Sequence, residues 1–194
     1  CLGFHVGHLV GEGVPVFTGV EARPSLDALD ALGAALATSG GVSMFIWPGV
    51  TPPFGDVDSA FTDGARHAVA ATDGDIEAGY EGFATAPSEA IDLVHLGCPH
   101  ASFEEIKHYA RLLGERQVHG DLELWITTSR AVREQAREAG ILEELERAGA
   151  KVISDTCPMS CHFARTTSPD PALGLTQPEI RAIVVDSPKQ AKYV

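Results

Sequence analysis

The sequence predicts an α/β fold: a mostly parallel sheet with helices on both faces. Three observations predict it. Short apolar runs alternate with amphipathic stretches in the order βαβαβαβ, the arrangement in which crossover helices cover a parallel sheet. Glycine, proline and capping residues punctuate the runs,. Thiols, hydroxyls and cations also collect just past the carboxyl end of successive runs, which is where open parallel sheets bind ligands.

Val14 to Val20 reads as a short strand with Gly19 near its end. Ser25 then opens a helix whose stripe is Leu26, Leu29, Leu32, Ala35 and Leu36, and Ser39-Gly40-Gly41 stops it,. A second strand, Val42 to Trp47, ends in Pro48-Gly49 and a proline-rich loop. Asp58 to Ala71 is a weaker helical stretch, and Asp73 to Pro87 reads as loop with room for a short helix. Ile91 to Leu96 is a buried-type strand. Ser102-Phe103-Glu104-Glu105 follows as a capping box that opens a helix reaching about Gly114,. Leu122 to Thr127 is a strand; Ala131 to Ala139 and Ile141 to Ala148 are helical segments broken at Gly140. Lys151 to Ser154 and Ala182 to Val185 complete the sheet.

The chain has 194 residues, enough to bury a sizeable core as one α/β domain or two small lobes,. Its net charge of −13 argues against nucleic acid or an anionic membrane as a partner,. No apolar run is long enough to span a bilayer and no basic-then-apolar leader precedes the fold, so the expected compartment is the cytoplasm,. Four widely spread cysteines do not make a disulfide scaffold, and reduced thiols are expected,. The start at Cys1 reads like the middle of a domain. No glycine-rich phosphate loop, dinucleotide fingerprint or serine-hydrolase elbow is present,.

The candidate chemistry lies at the strand ends. Gly97-Cys98-Pro99-His100 follows one strand and Asp155-Thr156-Cys157-Pro158 another. Each thiol precedes a proline, which fixes its turn. Two thiols at one rim suit a metal or an iron–sulfur centre, 2Fe-2S or 4Fe-4S, with zinc as the alternative. Cys161, four residues past Cys157, is a third candidate ligand. His100 is a catalytic candidate, because an imidazole is the side chain best suited to proton transfer,, whereas His95, within its strand, reads as a core histidine. Ser129-Arg130 opens a helix, where backbone amides favour an anion,; Ser129 is a catalytic candidate and Arg130 a substrate-carboxylate candidate. Thr51, Ser187 and Lys189 are further substrate-binding candidates at strand ends.

Taken in order, Val14-Pro15-Val16, Gly49-Val50-Thr51-Pro52, Gly97-Cys98-Pro99-His100, Asp155-Thr156-Cys157-Pro158 and Asp186-Ser187-Pro188-Lys189-Gln190-Ala191-Lys192-Tyr193 resemble the aconitase X family. The resemblance runs over essentially the whole chain and covers the later half of the family's large catalytic portion. It implies an aconitase-like three-layer sandwich and an iron–sulfur hydro-lyase acting on a small hydroxy acid. By the same resemblance, Cys98 and Cys157 are cluster ligands, with the third ligand at Cys161 or in an earlier half. That half, and a swivel domain or small subunit that closes the cleft, are the expected partners. Family members act on mevalonate 5-phosphate or cis-3-hydroxy-L-proline. Here Pro53 stands where the family usually has glutamate, and Phe45-Ile46-Trp47-Pro48 lacks a histidine expected there; both favour the hydroxyproline-like substrate. The rival readings are a zinc hydrolase built on the same thiols and a non-catalytic scaffold that binds a partner domain.

Overall fold

The computed structural model describes residues 1–21, 23–61, 67–85, 90–157, 180 and 182–193. It divides into two compact units, Cys1–Ala84 and Thr85–Val194.

In the first unit, helix α1 (Leu2–Val10) packs on α2 (Leu26–Gly40). Small residues let the two backbones approach. A Cβ at Gly3 would lie 2.6 Å from the Leu32 carbonyl oxygen, and one at Gly7 would strike the Ser39 hydroxyl. Ser25 caps α2 by accepting from the Ala28 amide, and Gly41, at φ 70°, ends it,. Phe17, Leu36, Val42 and Trp47 form the unit's core, with Phe17 stacked on Trp47 at 5.6 Å. The two strands expected at Val14 to Val20 and Val42 to Trp47 reduce to a single parallel bridge, Val16 to Ile46. Pro15, which lacks an amide proton, and Pro48 border the bridge,. The apolar residues there bury side chains without extending a ladder. Of the weak helix expected over Asp58 to Ala71, Asp58–Ala60 is one 3-10 turn, residues 67–71 are irregular, and residues 62–66 lie outside the described residues. Helix α3 (Asp73–Phe83) occupies most of the stretch expected as loop, started by a Thr72–Asp75 capping box.

The second unit is an all-parallel sheet in the order β3-β2-β1-β4. Its strands are β1 (Leu93–Ala101), β2 (Glu123–Thr128), β3 (Ala150–Ser154) and β4 (Ile183–Val185). The helices are α4 (Phe103–Leu113), α5 (Arg130–Glu138), α6 (Ile141–Arg147) and the short α7 (Pro188–Ala191). The chain is thus α/β, as the alternation of patterns requires.

Side-chain alternation along the strands separates two faces. Leu124, Ile126, Ala150 and Val152 meet Ile106 of α4, Ala136 of α5, and Leu142 and Leu145 of α6 in one core. Ile106 is completely buried and its burial contributes about 2 kcal/mol. The alternate positions, His95 and Trp125 among them, point to the other face, where Gln190 of α7 reaches His95. The capping box at Ser102 is present with both of its hydrogen bonds. Among the described residues, no helix is long and apolar enough to cross a membrane.

Candidate functional site

The carboxyl end of β1 carries the most constrained backbone of the second unit. Pairing with β2 runs in register to Leu96–Ile126, then breaks and resumes at Ala101–Thr128. Gly97 takes φ 90° there, and a Cβ at that position would overlap the Thr127 carbonyl oxygen. Only glycine meets both demands. The Gly97 amide donates to Asp186 Oδ2 at 2.8 Å, and its carbonyl accepts from the Thr127 hydroxyl at 2.6 Å. Tyr109 of α4 donates to the same Asp186 oxygen at 3.0 Å. The residue before Cys98 is therefore held on both sides, by β2 and by the turn after β4.

Cys98 is half-buried, and burial is the largest influence on its thiol, pushing the pKa up. The Lys189 ammonium and a hydrogen bond from Ser187 pull it down, while Cys157 and Asp186 push it up. Four of the residues singled out from the sequence, Cys98, Cys157, Ser187 and Lys189, thus share one electrostatic neighbourhood at the rim. His100 belongs to it as well: its Nε2 lies 2.9 Å from the Thr156 carbonyl oxygen. A carbonyl can only accept, so Nε2 carries the proton.

Other candidates have structural occupations. The Ser129 hydroxyl accepts from the Val132 amide and caps α5. The Arg130 amide and guanidinium both meet the Asp155 carboxylate at 2.8 Å. The anion at that helix start is thus the chain's own Asp155, which tolerates φ 54° as aspartate often does,. Thr51 lies in the first unit. Its hydroxyl accepts from the Trp47 amide at 2.8 Å and closes its own turn. Cys161 lies outside the described residues. Among those described, no group of three or more histidine, cysteine or carboxylate side chains is arranged to hold a metal ion.

Asp186, Thr127 and Gln190 were not selected from the sequence as site residues. Position past β4 signalled Asp186, but nothing in the pattern foretold that two partners would converge on it. A groove of about 740 Å³ between α4 and α6, lined by Lys107, Arg111, Glu144 and Arg147 among others, contains none of the candidate residues.

The family model described as aconitase X second domain matches residues 1–81, and that described as aconitase X third domain matches residues 91–194. The chain belongs to the aconitase X family. It is 38% identical to the phosphomevalonate dehydratase large subunit of Methanothermobacter thermautotrophicus, over 100% of this chain and 44% of that protein. It is 36% identical to the cis-3-hydroxy-L-proline dehydratase of Hypocrea jecorina, over 99% of this chain and 31% of that protein. The crystal structure of Thermococcus kodakaraensis aconitase X in its holo-form superposes with a TM-score of 0.80 at 32% identity, covering 99% of this chain and 45% of that one. The chain thus spans less than half the length of these aconitase X relatives.

Proposed function

We propose that this chain is the thiol-bearing part of an iron–sulfur dehydratase that removes water from a small hydroxy acid, with a cis-3-hydroxy-L-proline-like compound as substrate. One observation carries the reading. Cys98 and Cys157, from separate strands, interact at one rim beside Ser187 and Lys189, in a chain whose relatives are named dehydratases.

The donor set suits an iron–sulfur centre: Cys98 and Cys157 would hold it, and a further ligand would come from Cys161 or from the remainder of the full-length protein. When bound, such a centre supplies Lewis acidity toward a hydroxyl leaving group. The chain's own residues do the rest. Ser187 donates a hydrogen bond that favours the ionised form of Cys98, the form that binds metal,. Lys189 supplies positive charge for the substrate carboxylate, whose negative charge grows as the neighbouring proton leaves. His100 ties the carboxyl end of β1 to the loop carrying Cys157 from its Nε2–H. Ser129 and Arg130 act as framework, since a helix cap and the Asp155 pair engage them.

Lys189 is the cation beside Cys98 among the described residues. One cation suits a substrate with a single carboxylate better than one that also bears a phosphate. Pro53 and the absence of histidine at 45–48 favour the same choice. The M. thermautotrophicus relative favours mevalonate 5-phosphate as the second reading. Because six relatives are named as large subunits, a small subunit or fused swivel domain that closes the cleft completes the proposed enzyme. Reduced thiols suit a reducing compartment, the cytoplasm.

The test uses the full-length protein reconstituted with iron and sulfide. Expected are visible thiolate-to-iron absorption and turnover of cis-3-hydroxy-L-proline in preference to mevalonate 5-phosphate. Preference for the phosphate ester would select the second reading. Bound zinc without labile sulfide, or absence of turnover on both compounds, would remove the proposal.

A further inference from the structure

We propose that His95, Thr127 and Gln190 form a buried positioning relay for Cys98, in which His95 is the neutral Nε2–H tautomer and Gln190 presents its amide N–H to His95 Nδ1.

The three side chains are each 1% exposed and come from three elements, β1, β2 and α7. His95 Nε2 lies 3.0 Å from Thr127 Oγ1, and Thr127 Oγ1 lies 2.6 Å from the Gly97 carbonyl oxygen. His95 Nδ1 faces the Gln190 side-chain oxygen, while Gln190 Nε2 is buried with no partner among the described residues. Counting protons resolves the arrangement. The Thr127 hydroxyl has one proton, and a carbonyl can only accept, so that proton belongs to the Gly97 bond. Thr127 Oγ1 must then accept from His95 Nε2–H.

A glutamine oxygen on Nδ1 would demand a second ring proton, making His95 a buried imidazolium. Burial is the largest influence on His95 and lowers its pKa; Asp186 and the Gln190 hydrogen bond raise it, and His100 lowers it further. The net direction favours the neutral ring. The two ends of a glutamine amide are nearly isosteric, and the hydrogen-bond network assigns them. Turning the Gln190 amide gives Nδ1 the donor it needs. It also replaces a buried orphan N–H with a carbonyl oxygen, the more tolerable of the two.

The relay ends on the Gly97 carbonyl, one residue before Cys98. Gln190 adjoins Lys189, whose ammonium acts on the Cys98 thiol. One buried anchor therefore sets the thiol loop and the turn carrying Ser187 and Lys189 against each other. Buried polar networks are costly unless every member is satisfied. Apolar residues of the same volume would fill this space without fixing a direction. The consequence for function rests on the proposed role of Cys98; the tautomer and the relay do not.

Two measurements on the full-length protein test the proposal. Selective 15N-histidine labelling, with the His95 signals assigned through His95→Gln, reads the ring directly. Expected is a protonated Nε2 and an unprotonated Nδ1 across neutral pH. A protonated Nδ1, alone or with Nε2, overturns the assignment. Alkylation of Cys98 relative to Cys157 in metal-free protein reads the positioning. Thr127→Val should speed it about tenfold, and Thr127→Ser should return it to within about twofold of the parent. Should Thr127→Val not fold, Gln190→Met carries the same expectation. An unchanged Cys98 rate in the folded variant overturns the positioning role. Failure of the dehydratase reading would appear separately, as absence of turnover in a parent protein that still gives both results.

Discussion

His100 Nε2 donates a 2.9 Å hydrogen bond to the Thr156 carbonyl oxygen, fastening the carboxyl end of β1 to the loop after β3. The bond leaves His100 two residues beyond one thiol and meets the chain one residue before the other. It directly links two segments more than fifty residues apart. His100→Ala should cost at most about 1 kcal/mol of stability, because a hydrogen bond at an exposed site is largely replaced by water. On the proposed function, the full-length protein's iron affinity should fall about tenfold, the usual penalty for loosening what orients a metal site. His100→Gln, which keeps a side-chain N–H, should recover part of it. Urea unfolding and iron titration separate the two effects, and unchanged affinity in His100→Ala would count against the tether.

Arg130 gives a contrasting prediction. Its side chain is 85% exposed and paired with Asp155, and exposed ion pairs contribute about 0–1 kcal/mol. Arg130→Ala should therefore leave stability nearly unchanged and, on the proposed function, the full-length protein's KM for the hydroxy acid within about threefold. Steady-state kinetics would show a much larger rise in KM if a substrate carboxylate rested on this guanidinium.

How much of this was legible in the sequence depended on how local the cause was. Ser102 and Glu105 meet across a single helical turn, so their pattern alone located the start of α4. The short apolar runs located β1, β2 and β3, but β1 continues to Ala101, five residues past its expected end at Leu96, because Gly97 and Pro99 read locally as the end of a strand,. Helix α3 was legible only as loop with room for a short helix, because Gly74, Gly79 and Gly82 lie within it, and glycine weakens every local helical signal. The strand-like runs around Val16 and Ile46 fared worse. Their hydrophobicity serves aromatic packing of Phe17 and Trp47, which periodicity cannot distinguish from a strand,. At the rim, the cysteines and Lys189 stood out by placement. Gln190 did not, since its partner His95 lies 95 residues away and no local rule pairs them.

Gly97 is the rim position least open to change. Any other residue must adopt φ 90° and also displace the Thr127 carbonyl, which is backbone and cannot swing away. Gly97→Ala should cost about 3 kcal/mol or more, combining backbone strain with overlap. Gly114 provides the control. It also has positive φ, but a Cβ there would sit 3.8 Å from the Arg111 carbonyl oxygen, so Gly114→Ala should cost about 1 kcal/mol from conformation alone. Equal losses in urea unfolding would mean that the contact with Thr127 is not what constrains the rim.

The start of α3 carries a pH dependence whose sign can be stated. Asp75 accepts from the Thr72 hydroxyl at 2.6 Å and from the Thr72 amide at 2.8 Å. The side-chain bond first, and the backbone bond second, hold its carboxyl below the ordinary value of 3.8. A carboxyl depressed in the folded state stabilises that state above its ordinary pKa, and the contribution is lost as pH falls through the folded value. Asp75→Asn keeps the shape but removes the charge. The parent should therefore exceed the variant in thermal stability near neutrality, and the difference should shrink as the solution is acidified below about pH 4. Paired melts followed by circular dichroism across that window give the comparison, and a gap that stayed constant or widened in acid would reverse the assigned sign.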